Sequence, residues 1–229
     1  MFIRRLLIAL LLSVAVGMHA GELLDRIVAN VNTYVILQSD WDDEVHFEAF
    51  VSGRRSADVT PDQKKAALDR LIDQKILREQ MRMTDLKPAG ADAIKKQIDD
   101  LKSEQLREHP GQSWATTLSQ YQLTDRIVEE HVAAELEQFQ LIDSRFRPSI
   151  QISAADVEKY YREQIIPQLP ASDPLSLNDA APKIKEILIQ EKINQLLNSW
   201  LQTLRSQAQI QVFPADHSSE LQPALQGTR

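Results

Sequence analysis

Asp40, Asp42 and Asp43 stand close together, Glu129 and Glu130 precede His131, and His46, His109 and His217 are scattered along the chain. Carboxylates and imidazoles bind metals and move protons, so each grouping has a chemical reading to weigh. The closely spaced aspartates suggest calcium, but the stretch after Asp40 lacks the glycine and closing glutamate of an EF-hand loop. Acidic charge opposing the dipole at a helix N-terminus explains the three aspartates better. None of these four histidines has a second histidine or a carboxylate at the spacing of a metal-binding helix. Glu129, Glu130 and His131 read as a solvated helix face. There is no cysteine, hence no thiol nucleophile, no disulfide framework and no thiol for lipid attachment. A Gly-rich phosphate loop and a Gly-x-Ser-x-Gly elbow are also missing from the sequence. The expectation is a protein with no catalytic residues, no metal and no cofactor, whose work is binding.

Residues 1–20 have the order of a secretory signal peptide: Arg4 and Arg5, an apolar run over 6–16, then small and polar residues ending in Ala20. The run is shorter than the roughly 18 residues of a spanning helix, so cleavage near Ala20 is expected rather than retention as an anchor. Cleavage after Gly17 is the alternative, because Met18 is large for the position it would hold. Export from a bacterial cytoplasm would place the mature chain in the periplasm. The 229-residue chain has a formal net charge of −7, and loss of Arg4 and Arg5 makes the remainder more acidic. Without a basic cluster it is a poor match for nucleic acid or anionic lipid.

Helical periodicity dominates the rest of the chain. Residues 26–37 alternate and are rich in Val and Ile, with Asn32 and Thr33 at a turn, so they predict a hairpin. Ser39 stands where the cap of a first helix belongs, and that helix should end near Gly53. Thr60-Pro61-Asp62-Gln63 is a capping box opening a helix to about Met83, with Leu68, Leu71, Ile72, Ile76 and Leu77 on its buried face. A more polar helix carries Ile94, Ile98 and Leu101, Ser113 caps a short one, and Thr124 caps a longer one with Val128, Val132, Leu136 and Phe139. Ser153 and Asp156 open another. Pro167, Pro170 and Pro174 mark residues 166–179 as an irregular linker. A long helix over about 181–206 comes next, its apolar face built by Ile184, Leu188, Ile193, Leu197, Trp200 and Leu204, and residues 208–212 alternate as a strand does. Trp41, under the hairpin, and Trp200 are assigned to the core. A lone hairpin and a lone strand are each marginal in water. The economical arrangement joins Ile210 and Val212 to the hairpin in one small antiparallel sheet, giving a mainly α fold over 21–213. Residues 214–229 predict a disordered tail.

Residues 26–41, LDRLIDQKILREQMRM over 68–83, LTDRIVEEHVAAELEQFQLI over 123–142, the ISAADVEKYY box and the closing WLQTLRSQAQIQVF together resemble the SurA-like periplasmic chaperones. The resemblance is to their N-terminal chaperone domain, over 21–165, with the completing helix and strand over 180–213. It implies an ATP-independent holdase for unfolded outer-membrane or secreted polypeptides. One departure matters. In that family, parvulin-type prolyl isomerase domains lie between the acidic helix box and the closing helix, where this chain has only its linker. Such a domain needs at least roughly 50 residues. The implied protein is the chaperone core without isomerase activity. The competing reading is an envelope adaptor or structural protein with one folded partner, and a trigger-factor-like arm fits an exported chain poorly.

Methionine and aromatic side chains adapt to varied apolar partners. Phe47, Phe50, Met81, Met83, Tyr121, Phe139 and Phe146 are therefore the candidate client-binding residues, with core packing the competing assignment for each. Because the sheet is built from distant segments, exchange of the terminal strand or helix between two copies is an open route to a homodimer.

Overall fold

A computed structural model describes residues 25–168 and 176–213. The expected leader (1–20), the expected tail (214–229) and the middle of the linker lie outside the described residues. Within them are seven α-helices and a three-stranded antiparallel sheet. No described helix is long and apolar enough to cross a membrane.

The hairpin forms as the alternation predicts. Strands β1 (Ile27–Val31) and β2 (Tyr34–Leu37) pair across a turn in which Asn32 takes the left-handed backbone, φ 51°, which its short polar side chain tolerates. The register shifts between Ile27 and Ala29, and this bulge turns the consecutive residues Val28 and Ala29 both inward. Strand β3 (Ile210–Val212) pairs with β1 on its other side, giving the order β2-β1-β3. Asn32 pins this closure. Its backbone N–H donates to the Gln209 carbonyl at 2.9 Å, its side-chain oxygen accepts from the Gln209 N–H at 2.8 Å, and its side-chain amide donates to Glu79 at 2.5 Å.

Helix α1 (Gln38–Val51) begins at Gln38, one residue ahead of the expected cap. Ser39 lies inside the first turn, and its N–H and hydroxyl both donate to the Asp25 carboxylate. Those bonds hold the Asp25 carboxyl below the usual aspartate range. Asp40 reaches back to accept the Leu37 N–H at 3.0 Å. Asp25 thus accepts the first-turn amide that the serine was expected to cap, while Asp40 engages the amide just ahead of the helix. Helix α2 (Pro61–Arg82) opens with the full Thr60/Gln63 capping box. Helices α3 (Ala91–Glu108), α4 (Trp114–Gln120) and α5 (Asp125–Phe146) come next, the last two capped by Ser113 and Thr124. Helix α6 (Ala154–Tyr160) carries the Ser153/Asp156 box and runs on through a wide turn to Ile165.

Helix α7 spans Leu177–Gln207, four residues earlier than expected, because Ser176 caps it by accepting the Asp179 N–H at 3.2 Å. Pro182 falls in its second turn, where the missing N–H leaves the carbonyl of Asn178 without its helical donor. At 31 residues the helix is about 46 Å long.

Three apolar clusters hold these elements. Val28, Val31, Ile36, Leu71, Ile72 and Ile76 join the sheet to α2, with Trp41, Leu204 and Ile210 packed alongside. Phe47, Phe50, Leu118, Leu123, Val128 and Val132 join α1, α4 and α5, and α3 covers them with Ile94, Ile98 and Leu101. Val157, Ala180 and Ile184 join α6 to the start of α7. Helix α7 ties the clusters together. The Phe146 and Trp200 rings meet edge to face at 5.6 Å, Arg147 pairs with Glu186 at 2.8 Å, and Arg205 pairs with Asp73 at 2.6 Å. Replacing Arg205 by alanine removes the bonds to Asp73 and to the Asp69 carbonyl. With a third of the guanidinium side chain exposed, solvent screening holds the expected loss to about 1 kcal/mol, read as a lower urea midpoint with an unchanged slope.

Candidate functional site

Helix α7 offers a broad apolar stripe, but its neighbours cover it unevenly. Ala180, Ile184 and Ile193 are buried, whereas Leu188, Leu196, Leu197 and Trp200 are only half-buried. Along its middle runs an open groove of about 660 Å³, walled on the far side by the segment joining α5 to α6. Ile150 and Ile152 from that segment and Leu188 and Leu196 from α7 supply the aliphatic lining. Asp156, Glu191, Lys192 and Gln195 supply a polar rim.

The local sequence explains why the wall is not helical. Pro148 ends α5 in a single tight turn, Arg147–Ser149, and Ser153 caps α6. The residues between must therefore run outside a helix, and Ile150 and Ser153 have extended backbone angles. The Ile150 N–H donates to the Arg147 carbonyl and the Ser153 N–H to Asp156. Among the described residues, no hydrogen bond engages the N–H groups of Gln151 and Ile152 or the carbonyls of residues 150–152. A non-helical segment with free backbone groups, set beside aliphatic side chains, has the chemistry for holding an extended chain.

A second hollow of about 550 Å³ lies between α1, α2 and α5. Its lining is mostly charged or polar, including Asp40, Asp43, Lys75, Arg78, Glu130 and Glu137, with Leu71 and Met81 among the apolar contributors. Burial pushes the carboxyl of Asp43 above the usual aspartate range, against the pull of His131 and His46. His131 lines this hollow and belongs to the interior rather than to a solvated face: its Nε2 lies 3.3 Å from Glu44, which is 4 % exposed. Burial opposes charge on the His131 ring, but the bonds to Glu44 and the Ile127 carbonyl outweigh it, and the imidazole's pKa lies above the ordinary histidine value. Burial likewise raises Glu48, despite its bond to Arg70. Among the described residues no three metal-ligating side chains converge.

The seven sequence-derived candidates do not form one surface. Phe47 and Phe50 are core residues, Phe50 with 0 % exposure, and neither offers a face to a client. Tyr121 is half-buried with its ring 5.6 Å from Phe50, and Phe146 is half-buried against Trp200. Met81 is half-buried in the polar hollow. Only Met83, 71 % exposed, and Phe139, 56 % exposed, stand open to solvent. The groove's own apolar residues are not among the candidates, although Ile-Gln-Ile between a helix-ending proline and a serine cap is a readable sign of an extended segment. Leu188 reads in the sequence only as one position of a helical stripe.

No family model matches the sequence, and no curated protein matches it.

The contrast between core and exposed aromatics is measurable. Phe50→Ala should cost about 3–5 kcal/mol in urea denaturation through the cavity it leaves, while Phe139→Ala should stay within about 0.5 kcal/mol.

Proposed function

We propose that the protein is an ATP-independent holdase of the periplasm, similar to the SurA-like chaperones, which keeps unfolded outer-membrane or secreted polypeptides from aggregating. The groove beside α7 carries this reading. It combines a lining of aliphatic side chains, which select only for apolarity, with free main-chain donors and acceptors, which any polypeptide can satisfy. A site of that kind binds many sequences weakly and holds none by its identity. Export rests on the leader over residues 1–20 of the sequence, outside the described residues.

The reading carries no catalytic step. The end of the α6 extension, at Gln168, is followed by Ser176 as the cap of α7, and the residues between are far too few for an isomerase domain of at least roughly 50. Prolyl isomerisation is therefore not proposed.

When an outer-membrane β-barrel polypeptide is diluted from urea, the mature protein should suppress light scattering near stoichiometric amounts. The Ile150→Glu/Leu196→Glu double variant, folded by circular dichroism, should need about ten-fold more protein, equivalent to roughly 1.4 kcal/mol of binding. No suppression by the folded, unsubstituted protein would overturn the holdase reading and favour a single folded partner.

A further inference from the structure

His131 sits where three chemical demands meet. Its Nδ1 lies 2.9 Å from the Ile127 carbonyl one turn back, its Nε2 lies 3.3 Å from the Glu44 carboxylate on α1, and its ring stacks on Phe47 with centroids 4.4 Å apart. A carbonyl and a carboxylate only accept hydrogen bonds. A neutral imidazole has one donor nitrogen and one acceptor nitrogen, so it satisfies only one of these partners and sets a lone pair against the other. The charged ring donates to both.

We propose that the Glu44–His131 contact is a proton-dependent latch: the charged imidazole clamps α1 to α5, and loss of its proton slackens that seam and loosens the packing around Phe47.

The surroundings make the contact depend on the histidine. On α2, Glu44 faces Gln74, whose amide lies 3.3 Å from each carboxylate oxygen, and Arg70, whose Nε is 4.0 Å away; on its own helix it faces the carboxyl of Glu48. Gln74 is neutral, and Arg70 is committed to Glu48. Lys75 and Arg78 on α2 line the same hollow, as do Asp40 and Asp43 on α1 and Glu130 on α5. Glu130 pairs with Arg126 along its own helix, and burial raises the carboxyl of Glu135, one turn beyond His131, against the pull of the His131 ring. On α3, Lys95 and Lys96 pair with Asp99 and Asp100 and Lys102 lies over the Trp114 ring, while on α7 Arg205 engages Asp69 and Asp73 and Glu186 engages Arg147. When the ring is neutral, the buried Glu44 carboxylate keeps only Arg70, 4.0 Å away and shared with Glu48, as a cation, a state that costs more than the same charge in water.

The folded protein holds this proton more tightly than the unfolded chain does. The contribution is therefore fully present below the ordinary histidine value and is lost as pH rises through the higher folded value.

The test follows the imidazole resonances of the full chain by NMR across pH 5 to 9, together with amide exchange and urea midpoints. His131 should titrate above an ordinary histidine, and Glu44→Gln should bring it down. Above that transition, normalised protection of the α1 amides over 44–50 should fall while that of β1 holds, and the urea midpoint should drop. His131→Gln should remove the pH-dependent drop. Titration at or below the ordinary value, α1 protection that does not change through the transition, or the same midpoint profile in His131→Gln would overturn the latch. If neither variant folds, the titration and exchange of the unsubstituted protein decide alone.

Discussion

The pairing of β1 with partners from opposite ends of the described chain is the constraint on which the architecture rests. β2 follows β1 after a two-residue turn, but β3 arrives only after all the helices, and the entropy of closing so long a loop must be offset by contacts made at the closure. Asn32 supplies three hydrogen bonds there, to Gln209 twice and to Glu79 once. Val28, Val31 and Ile36 bury their side chains against α2 directly beneath. Arg205, one turn before the strand, adds its bonds to Asp73 and Asp69, so α7 is held to α2 where it delivers β3. That anchorage fixes the C-terminal end of α7, as Arg147–Glu186 and the cluster around Ile184 fix its start.

The course of α7 then determines what is open. It passes from the small cluster under α6, across the end of α5, to the cluster under the sheet, and along the way Ala180, Ile184 and Ile193 are buried while Leu188, Leu196 and Leu197 stay half-covered. The groove exists because the segment from Ile150 to Ser153 approaches this partly covered middle without helical structure of its own. The polar hollow between α1, α2 and α5 has another origin. Gln74 and His131 line it, the buried Glu44 behind them is in contact with both, and the apolar core of Phe47 and Phe50 begins immediately beside them.

The fold is readable in the sequence wherever a signal is local. The boxes at Thr60 and Ser153 and the caps at Ser113 and Thr124 depend on residues within one turn, and the structure has all four. The sheet is readable because three short alternating segments have few ways to satisfy their backbones. Ser39 misleads because the carboxylate that binds it comes from Asp25, on the far side of the hairpin. The start of α7 lies earlier than expected because Ser176 caps it through the Asp179 N–H, a signal masked in the sequence by the nearby prolines. The binding residues are the least readable. Phe47 and Phe139 look alike as letters on amphipathic helices, and only the approach of α5 to α1 buries one and not the other. His131 has its carboxylate partner on a helix far away in the chain, beyond any spacing rule.

The topology also orders events in time. β1 is the first strand to be made and the last to be completed, since its second edge waits for residues 210–212. Throughout that interval its unpaired N–H and C=O groups form an open template on which another chain can pair. Contacts between residues so distant in sequence form slowly compared with the helices, which need only their own turns. The chain itself thus passes through a stage with an unprotected strand, and the rate at which α7 docks sets how long that stage lasts.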